Sequence, residues 1–253
     1  MTDSDLARCY SSIAKALGDD VEPYASVSAV ERHRRFWRPA SPKVVLLAES
    51  HVWTSESELL AMPGGRELGC DGAPETYVRF VYCLGYGEPR FAGTPIRGNG
   101  GTPQFWKLFW SCLHRVSNET EFAPLLVGRT EYEARLHAKR TLLETLRERG
   151  VWLLDASITA LYRPGGFKPR FARIDQALRV SWDEYVSHVL AEARPRHTLV
   201  IGRGVARALA DRLDKATAGQ CTVLPEPQAR LSREERLRVH QGCFQVCFEN
   251  GVG

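Results

Sequence analysis

The sequence predicts a three-layer α/β/α fold with a central, mostly parallel four-stranded sheet. The first observation is a set of short apolar runs, typical of strands buried on both faces, at residues 43–48, 151–155, 197–201 and 222–224. The second is that helical segments separate these runs, an alternation that implies right-handed crossovers and helices on both faces of a parallel sheet. The third is the length of 253 residues, which suits a single domain.

Two helices are predicted before the first strand. Residues 3–17 carry apolar side chains at helical spacing and end near Gly18. Residues 26–36 form the second helix. We therefore treat residues 1–40 as a helical N-terminal extension of the single domain.

The middle of the chain is predicted to be less regular. Residues 61–104 are rich in glycine and proline with aromatic residues between them, so we expect an irregular insertion that contains a short helix at 74–84. A loop of this length in a compact domain is usually functional or disordered. Residues 103–116 are predicted to be helical, because proline is tolerated in the first turn.

The second half alternates helices with the remaining strands. Residues 129–149 form the clearest surface helix, which ends at Gly150. Residues 174–193 form another helix, and a further one follows Gly202 and runs to about Leu213.

Composition excludes several classes of protein. The 43% hydrophobic and 25% charged content is that of a globular chain. The longest apolar runs fall far short of the roughly 20 residues that span a bilayer, and the acidic start, Met1–Asp5, is unlike a signal peptide. Seven cysteines without a CxxC pair suggest reduced thiols in a cytoplasmic protein. Neither a metal nor another cofactor is predicted, because zinc and iron–sulfur sites normally show paired spacing.

Positive charge is concentrated in the second half of the chain. Residues 1–128 carry a net charge of −2 and residues 129–253 a net charge of +6, and most of the cations are arginine. An arginine-rich half of this kind is compatible with binding to a partner that has a phosphate backbone. On charge alone, an ordinary solvated surface rich in arginine is the simpler interpretation.

Polar residues follow every predicted strand. In an open α/β sheet, ligands bind at the carboxyl ends of the strands, so these residues are the candidates for function. They are Glu49, Ser50, His51 and Trp53 after the first strand; Asp155 and Ser157 after the second; Arg203 and Gly204 after the third; and Glu226, Gln228 and Arg230 after the fourth.

Each candidate has a functional and a structural interpretation. The Glu49 carboxylate could orient water or stabilise a developing cation, and His51 could transfer a proton. Alternatively, Glu49 caps a helix, His51 is a half-buried structural residue, and Asp155 or Ser157 caps a turn. Backbone amides around Gly204 could hold a phosphate at a helix N-terminus. The loop of residues 225–230 could enter a DNA groove or be a plain connector.

The order of these segments resembles that of the uracil-DNA glycosylase superfamily, over about residues 43 to 235. Ala48-Glu49-Ser50-His51-Val52 lies where the family carries GQDPY, GEAPG or GMNPG, and Glu49 falls on the glutamate of the GEAPG form. Gln104-Phe-Trp-Lys-Leu resembles the NRFWK helix start of the mismatch-specific branch. Residues 153–159 resemble the family's LLNxxLT strand end, and residues 224–233 lie where it has HPSPLS or NPSGLSR.

The chain departs from the family pattern at four positions, and it also lacks the cysteine pattern of the iron–sulfur branches. Asp155 replaces the base-reading asparagine, Ser50 and His51 replace the aspartate or asparagine and the proline of the first motif, and Leu224 or Glu226 stands at the catalytic histidine of the last motif. A carboxylate only accepts hydrogen bonds unless it is protonated, so Asp155 would suit an amino group such as that of a modified cytosine.

The resemblance implies a monofunctional DNA glycosylase that acts as a monomer on a flipped-out uracil or modified pyrimidine, in repair or in defence against phage. Glu49 and His51 would be catalytic. The base would be held by Ser50, Tyr82, Tyr86, Phe91, Asp155 and Ser157. The DNA would be held by Trp53, Arg203, Gly204, Glu226, Gln228 and Arg230. A binding module that has lost excision is the alternative, and a small-molecule hydrolase is weaker because GxSxG is missing.

Overall fold

Four parallel strands form one sheet in the part of the chain that the structure describes. The structure is a computed structural model, and it describes residues 1–61, 70–88, 101–163, 171–226 and 229–252. The strand order is β2-β1-β3-β4, with helices flanking the sheet, so the predicted three-layer fold is confirmed. The strands are β1 Val44–Ala48, β2 Val151–Asp155, β3 His197–Ile201 and β4 Cys221–Leu224.

The strand order creates a crevice between β1 and β3. From β1 the chain crosses to β2 on one side, and from β3 it crosses to β4 on the other. The two central strands are in register, with Val44 opposite His197 and Leu47 opposite Val200. At such a switch point the following loops diverge and leave room for a ligand. The residues after β1 and β3 therefore occupy the place where an open α/β sheet binds its ligand.

Helices account for most of the remaining described chain. No helix in this described part is both long and apolar enough to cross a lipid bilayer. The α-helices are α1 Asp3–Leu17, α2 Tyr24–Phe36, α3 Glu56–Ala61, α4 Gly101–Leu113, α5 Tyr132–Arg149, α6 Phe171–Ser181, α7 Ser187–Ala193, α8 Arg203–Ala208, α9 Ala210–Thr217 and α10 Arg233–Glu249.

The ends of the helices follow from local chemistry. Thr2 and Asp5 form a capping box at the start of α1, and Ser232 and Glu235 form another at the start of α10. Helix α5 ends at Gly150, whose φ of 92° is left-handed. A Cβ there would lie 2.8 Å from the Ser41 carbonyl oxygen. Only glycine therefore fits between α5 and the chain that leads into β1.

The N-terminal segment belongs to the main core. The apolar face of α1, which includes Cys9 and Ile13, is fully buried, and Ala29 and Val30 of α2 are fully buried in the same cluster as β1. Residues 1–40 are thus an integral layer of the domain. Their helices also carry charged side chains inward, toward the strand ends.

The predicted helix over residues 74–84 is wrong. Residues 70–88 run as successive turns, and the Phe80 amide donates to the Val78 carbonyl at 2.9 Å. Their aromatic and β-branched side chains, including Tyr77 and Tyr82, are buried in the core. Five successive side chains, from Phe80 to Leu84, are all buried. They leave no exposed face of the kind that an amphipathic helix keeps, so tertiary packing overrides the local pattern.

Several other elements differ from prediction. Helix α3 was not predicted, and the helix predicted from Gly202 to about Leu213 is divided into α8 and α9. The predicted helix over residues 174–193 is interrupted by a π-helical turn at Trp182–Val186 between α6 and α7. The predicted elements do not include α10, whose apolar residues are mixed with many charged ones. Helix α10 nevertheless packs against α4 and buries Cys243 and Cys247 completely.

Candidate active site

Two carboxylates meet at the crevice between β1 and β3. Glu49 directly follows β1 and is half-buried, and Glu226 follows β4 and is exposed. A Cβ built on Gly204 would lie 3.9 Å from Glu49 Oε1 and 4.0 Å from Glu226 Oε1. Both oxygens therefore approach the same point of the backbone, at the start of α8.

Glycine at position 202 makes this approach possible. Its φ of 112° is strained for any residue with a side chain. A Cβ would also lie 3.0 Å from Glu226 Cγ. The Gly202 amide donates to the Leu224 carbonyl at 2.8 Å, which joins the end of β3 to the end of β4. The tight turn thus fixes the position of the Glu226 backbone beside the crevice.

A tyrosine lies beside the two carboxylates. The Tyr162 hydroxyl donates a hydrogen bond to Glu49. Burial, the charge and hydrogen bond of Glu49, and the charge of Glu226 all raise the Tyr162 pKa well above its usual value, so the phenol stays protonated and keeps donating. Its side chain remains 40% exposed. The site therefore combines two acids with a proton donor that has an accessible ring.

A buried carboxylate ties the loops after β1 and β2 together. Glu22 is fully buried between α1 and α2. One of its oxygens accepts from the Thr54 amide at 3.1 Å, and the other accepts from the Ala160 amide at 3.0 Å and pairs with His51 Nε2 at 2.7 Å. These contacts hold both loops in one arrangement beneath Glu49 and Tyr162.

The imidazole of His51 links Glu22 to Asp155. Its Nδ1 lies 3.2 Å from Asp155 Oδ2, and its side chain is fully buried. The same Asp155 oxygen accepts from Arg34 Nη2 at 2.7 Å. His51 thus stands between two carboxylates, with no ring nitrogen left for a substrate. We assign it a positioning role rather than the predicted proton transfer.

The ion network continues into α2. Arg34 also donates to Glu31 Oε2 at 2.5 Å, and the Tyr185 hydroxyl from the π-helical turn donates to Glu31 Oε1 at 2.8 Å. Arg35 adds a contact at 3.1 Å to the same Glu31 oxygen. Beneath the strand ends, three carboxylates are therefore matched by three basic side chains, so that opposite charges offset one another. The acids are Glu22, Glu31 and Asp155, and the bases are Arg34, Arg35 and His51.

Comparisons with protein-family models, with curated proteins and with solved structures gave no match.

The network predicts a pH dependence of stability. Burial alone would lower the His51 pKa, but the charge of Glu22 and the hydrogen bonds with Asp155 and Glu22 raise it to about 9. In the unfolded chain a histidine titrates near pH 6.5. The stabilisation by His51 is therefore fully present below about pH 6.5, and it is lost as the pH rises through about 9. Urea unfolding should show a loss of about 3 kcal/mol between pH 6 and pH 10.

The His51→Gln variant is the control for that pH series. Glutamine cannot gain the charge, so the variant should start less stable and lose less stability over the same interval. Equal slopes for the variant and the parent would contradict the assignment of the alkaline loss to His51.

Asp155, which was predicted to read the base edge, is not placed to do so. Its side chain is 2% exposed and one oxygen accepts from both His51 and Arg34. Ser157 is also fully buried, and its hydroxyl donates to the Thr159 carbonyl at 2.8 Å in a local turn. Its amide donates to the Glu49 carbonyl at 3.0 Å, so Ser157 positions Glu49 through the backbone.

Two of the rings predicted to stack on the base, Tyr82 and Tyr86, are packed in the core instead. The Tyr82 ring stacks against Trp37 and Phe109, and its hydroxyl accepts from the Leu153 amide at 2.7 Å. Tyr86 is buried in the same core. Because neither ring presents a face to the crevice, we assign both to packing. Phe91 lies outside the described residues.

The predicted DNA contacts fall into two groups. Arg203, Glu226 and Arg230 are exposed. Ser50, which was predicted to hold the base, is half-buried directly after Glu49. Trp53 is buried beneath the guanidinium of Arg163, which lies 5.6 Å from the ring centroid. Gln228 lies outside the described residues.

A phosphate is not favoured at Gly204, contrary to expectation. The carboxylate oxygens of Glu49 and Glu226 already approach that turn, and their charge opposes an anion. Helix α8 spans only six residues, so its dipole is small. Two carboxylates therefore lie beside the turn at which the sequence predicted an anion-binding site.

Sequence reasoning missed several residues of this site. Tyr162 lies in the loop that follows β2, so a survey of all polar residues in the loop after each strand would have found it. Glu22 and Arg34 lie more than a hundred residues from some of their partners, so no local spacing indicates them. Among the described residues, no group of three possible metal ligands lies at these strand ends.

Proposed function

We propose that this protein is a DNA glycosylase that hydrolyses the N-glycosidic bond of a flipped-out uracil or modified pyrimidine and leaves an abasic site. The observation that carries the proposal is the approach of Glu49 and Glu226 to one point over Gly204, with Tyr162 beside them. Paired carboxylates at the end of a parallel sheet suit the hydrolysis of a glycosidic bond.

Glu49 has the central role in this reaction. As the bond to the base breaks, positive charge of oxocarbenium character develops on the sugar. A carboxylate fixed beside the sugar stabilises that charge and can accept a proton from the attacking water. The Glu49 carbonyl is held by the Ser157 amide and its carboxylate by Tyr162, so the group is preorganised.

Exposed arginines support a nucleic-acid substrate. Arg163, Arg203 and Arg230 follow β2, β3 and β4 at the same edge of the sheet. Guanidinium groups there can contact the phosphates on either side of an extruded nucleotide. The Tyr162 ring, rather than Tyr82 or Tyr86, is the candidate to stack on the base.

The experiment uses oligonucleotides that carry uracil, hypoxanthine, a thymine mismatch or a modified cytosine, in single and double strands. The protein is purified from a host that lacks uracil glycosylase, and alkali converts abasic sites into strand breaks. We expect cleavage of at least one substrate by the parent and by Glu56→Gln, an exposed carboxylate variant on α3. We expect none with Glu49→Gln.

Two outcomes would overturn the proposal. Retardation of DNA on a gel without cleavage of any substrate would favour the binding module. Neither cleavage nor retardation would leave the fold without a nucleic-acid function.

Tyr162 offers a separate prediction. Tyr162→Phe keeps the ring and removes the hydrogen bond to Glu49. Hydrogen bonds to charged groups contribute about 1.5–3 kcal/mol, so kcat should fall by about 10- to 100-fold with little change in KM. Tyr162→Ala should also raise KM, because the ring is lost. Wild-type kcat in Tyr162→Phe, measured on the substrate identified above, would remove the hydroxyl from the mechanism.

A further inference from the structure

Three cysteine thiols converge in the core, on the side of α4 that faces α10. Cys112 lies on α4, and Cys243 and Cys247 lie on α10. Their three sulfur atoms all lie within 4.8 Å of one another, and the Sγ atoms of Cys112 and Cys243 are 3.5 Å apart. Each residue is at most 1% exposed. This cluster is separate from the acids at the strand ends.

Helix geometry explains why the thiols meet. Cys243 and Cys247 are four residues apart, so they lie on one face of α10, one turn from each other. Cys112 reaches them from the facing helix after a chain separation of 131 residues. The absence of a CxxC pair predicted no metal site. Such a pair reports only ligands that are close in sequence, so it could not reveal a ligand from another helix.

The spacing of the sulfurs fits a single small metal ion. A metal–sulfur bond of about 2.3 Å places three sulfurs of a trigonal site about 4 Å apart. One observed separation is 3.5 Å and none exceeds 4.8 Å, so the three sulfurs already lie near that spacing.

The ligand set selects the ion. Thiolates are soft ligands that favour copper(I), zinc or iron–sulfur clusters. Zinc almost always takes four ligands in a structural site. Among the described residues only these three potential ligands gather here, and their burial excludes bulk water from a fourth position. Three soft ligands without a fourth suit copper(I) better than zinc.

We propose that Cys112, Cys243 and Cys247 form a buried three-thiolate site that binds one copper(I) ion. Each coordinating thiol releases its proton to solvent, and no change in oxidation state is involved. The bound ion would crosslink α4 to α10, whose sequence positions are far apart. This site is independent of the proposed glycosylase chemistry.

The test is an anaerobic titration of the reduced, full-length protein with copper(I) held by the chromogenic chelator bicinchoninate. We expect the parent to withdraw one equivalent from the chelator and to show X-ray absorption from three sulfur neighbours. Thermal unfolding of the copper-loaded parent should move to higher temperature, because the folded chain brings all three thiols together and so binds the ion more tightly than the unfolded chain does.

Single cysteine variants identify the ligands. Cys112→Ala should weaken copper binding by more than the roughly 100-fold typical for loss of an outer-sphere partner. Cys9→Ala is the matched control, because Cys9 is equally buried in α1 but lies outside the cluster. It should bind copper as the parent does, and circular dichroism verifies that both variants are folded.

Several results would overturn the proposal. One is failure of the parent to compete with the chelator, another is parent-like copper binding by Cys112→Ala, and a third is loss of the ion from Cys9→Ala. Two sulfur neighbours instead of three, or tighter binding of zinc than of copper(I) in a parallel competition, would also refute the assignment. The parent measurements remain decisive if Cys112→Ala does not fold.

Discussion

Replacement of Arg34 by methionine is expected to lower the free energy of unfolding by about 3–5 kcal/mol. The guanidinium is 4% exposed and bridges Asp155 at 2.7 Å to Glu31 at 2.5 Å. Methionine fills similar volume but leaves Asp155 with only the His51 contact and removes one of the cations that balance Glu31. The cost of burying a carboxylate with insufficient compensation dominates the effect.

The measurement is equilibrium unfolding in urea at pH 7, with circular dichroism as the probe. Arg32→Met is the matched control, because Arg32 lies on the same helix, is exposed, and donates to the hydroxyls of Ser28 and Thr76. It should change stability by about 0.5 kcal/mol or less. If the two variants unfold alike, the network contributes little to stability and serves another purpose.

Glu49→Gln is expected to lower the single-turnover rate of base excision by about 10²- to 10⁴-fold. Glutamine has the shape of the carboxylate and can still accept from Tyr162, so the site should keep its geometry. What is lost is the negative charge beside the sugar and the ability to take a proton from water. The effect should therefore appear in the chemical step.

DNA affinity separates this interpretation from a structural one. Removal of a negative charge near the phosphates should leave binding unchanged or make it slightly tighter. We would measure the rate under enzyme excess and the affinity by fluorescence anisotropy, with Glu56→Gln as the exposed control. Normal excision by Glu49→Gln would move the catalytic role to Glu226.

The strands were predictable because their signal is local. The apolar run of β1 is followed at once by Glu49, and β2 and β3 have the predicted bounds. Buried parallel strands need uninterrupted apolar side chains, and the helices between them need one apolar face, so both patterns can be recognised in short windows. The position of Glu49 at the crevice follows from the strand end alone.

The partners of these residues were not predictable, for a physical reason. Asp155 looked available to a substrate, but Arg34 and His51 occupy it from elements distant in sequence. Tyr82 looked like a stacking ring, yet it completes the core. Local sequence records what a side chain can do, whereas the fold decides what it touches.

The contact between Glu22 and the Ala160 amide joins residues that are 138 positions apart in the sequence. This separation determines when the contact can form during folding. Contacts of such long range form late, because the entropy of closing the intervening loop must be overcome first. A chain emerging from the ribosome cannot complete the loops after β1 and β2 until residue 160 has been synthesised and has left the exit tunnel. We therefore expect the crevice to be incomplete, and the proposed glycosylase activity to be absent, until most of the sheet has been synthesised.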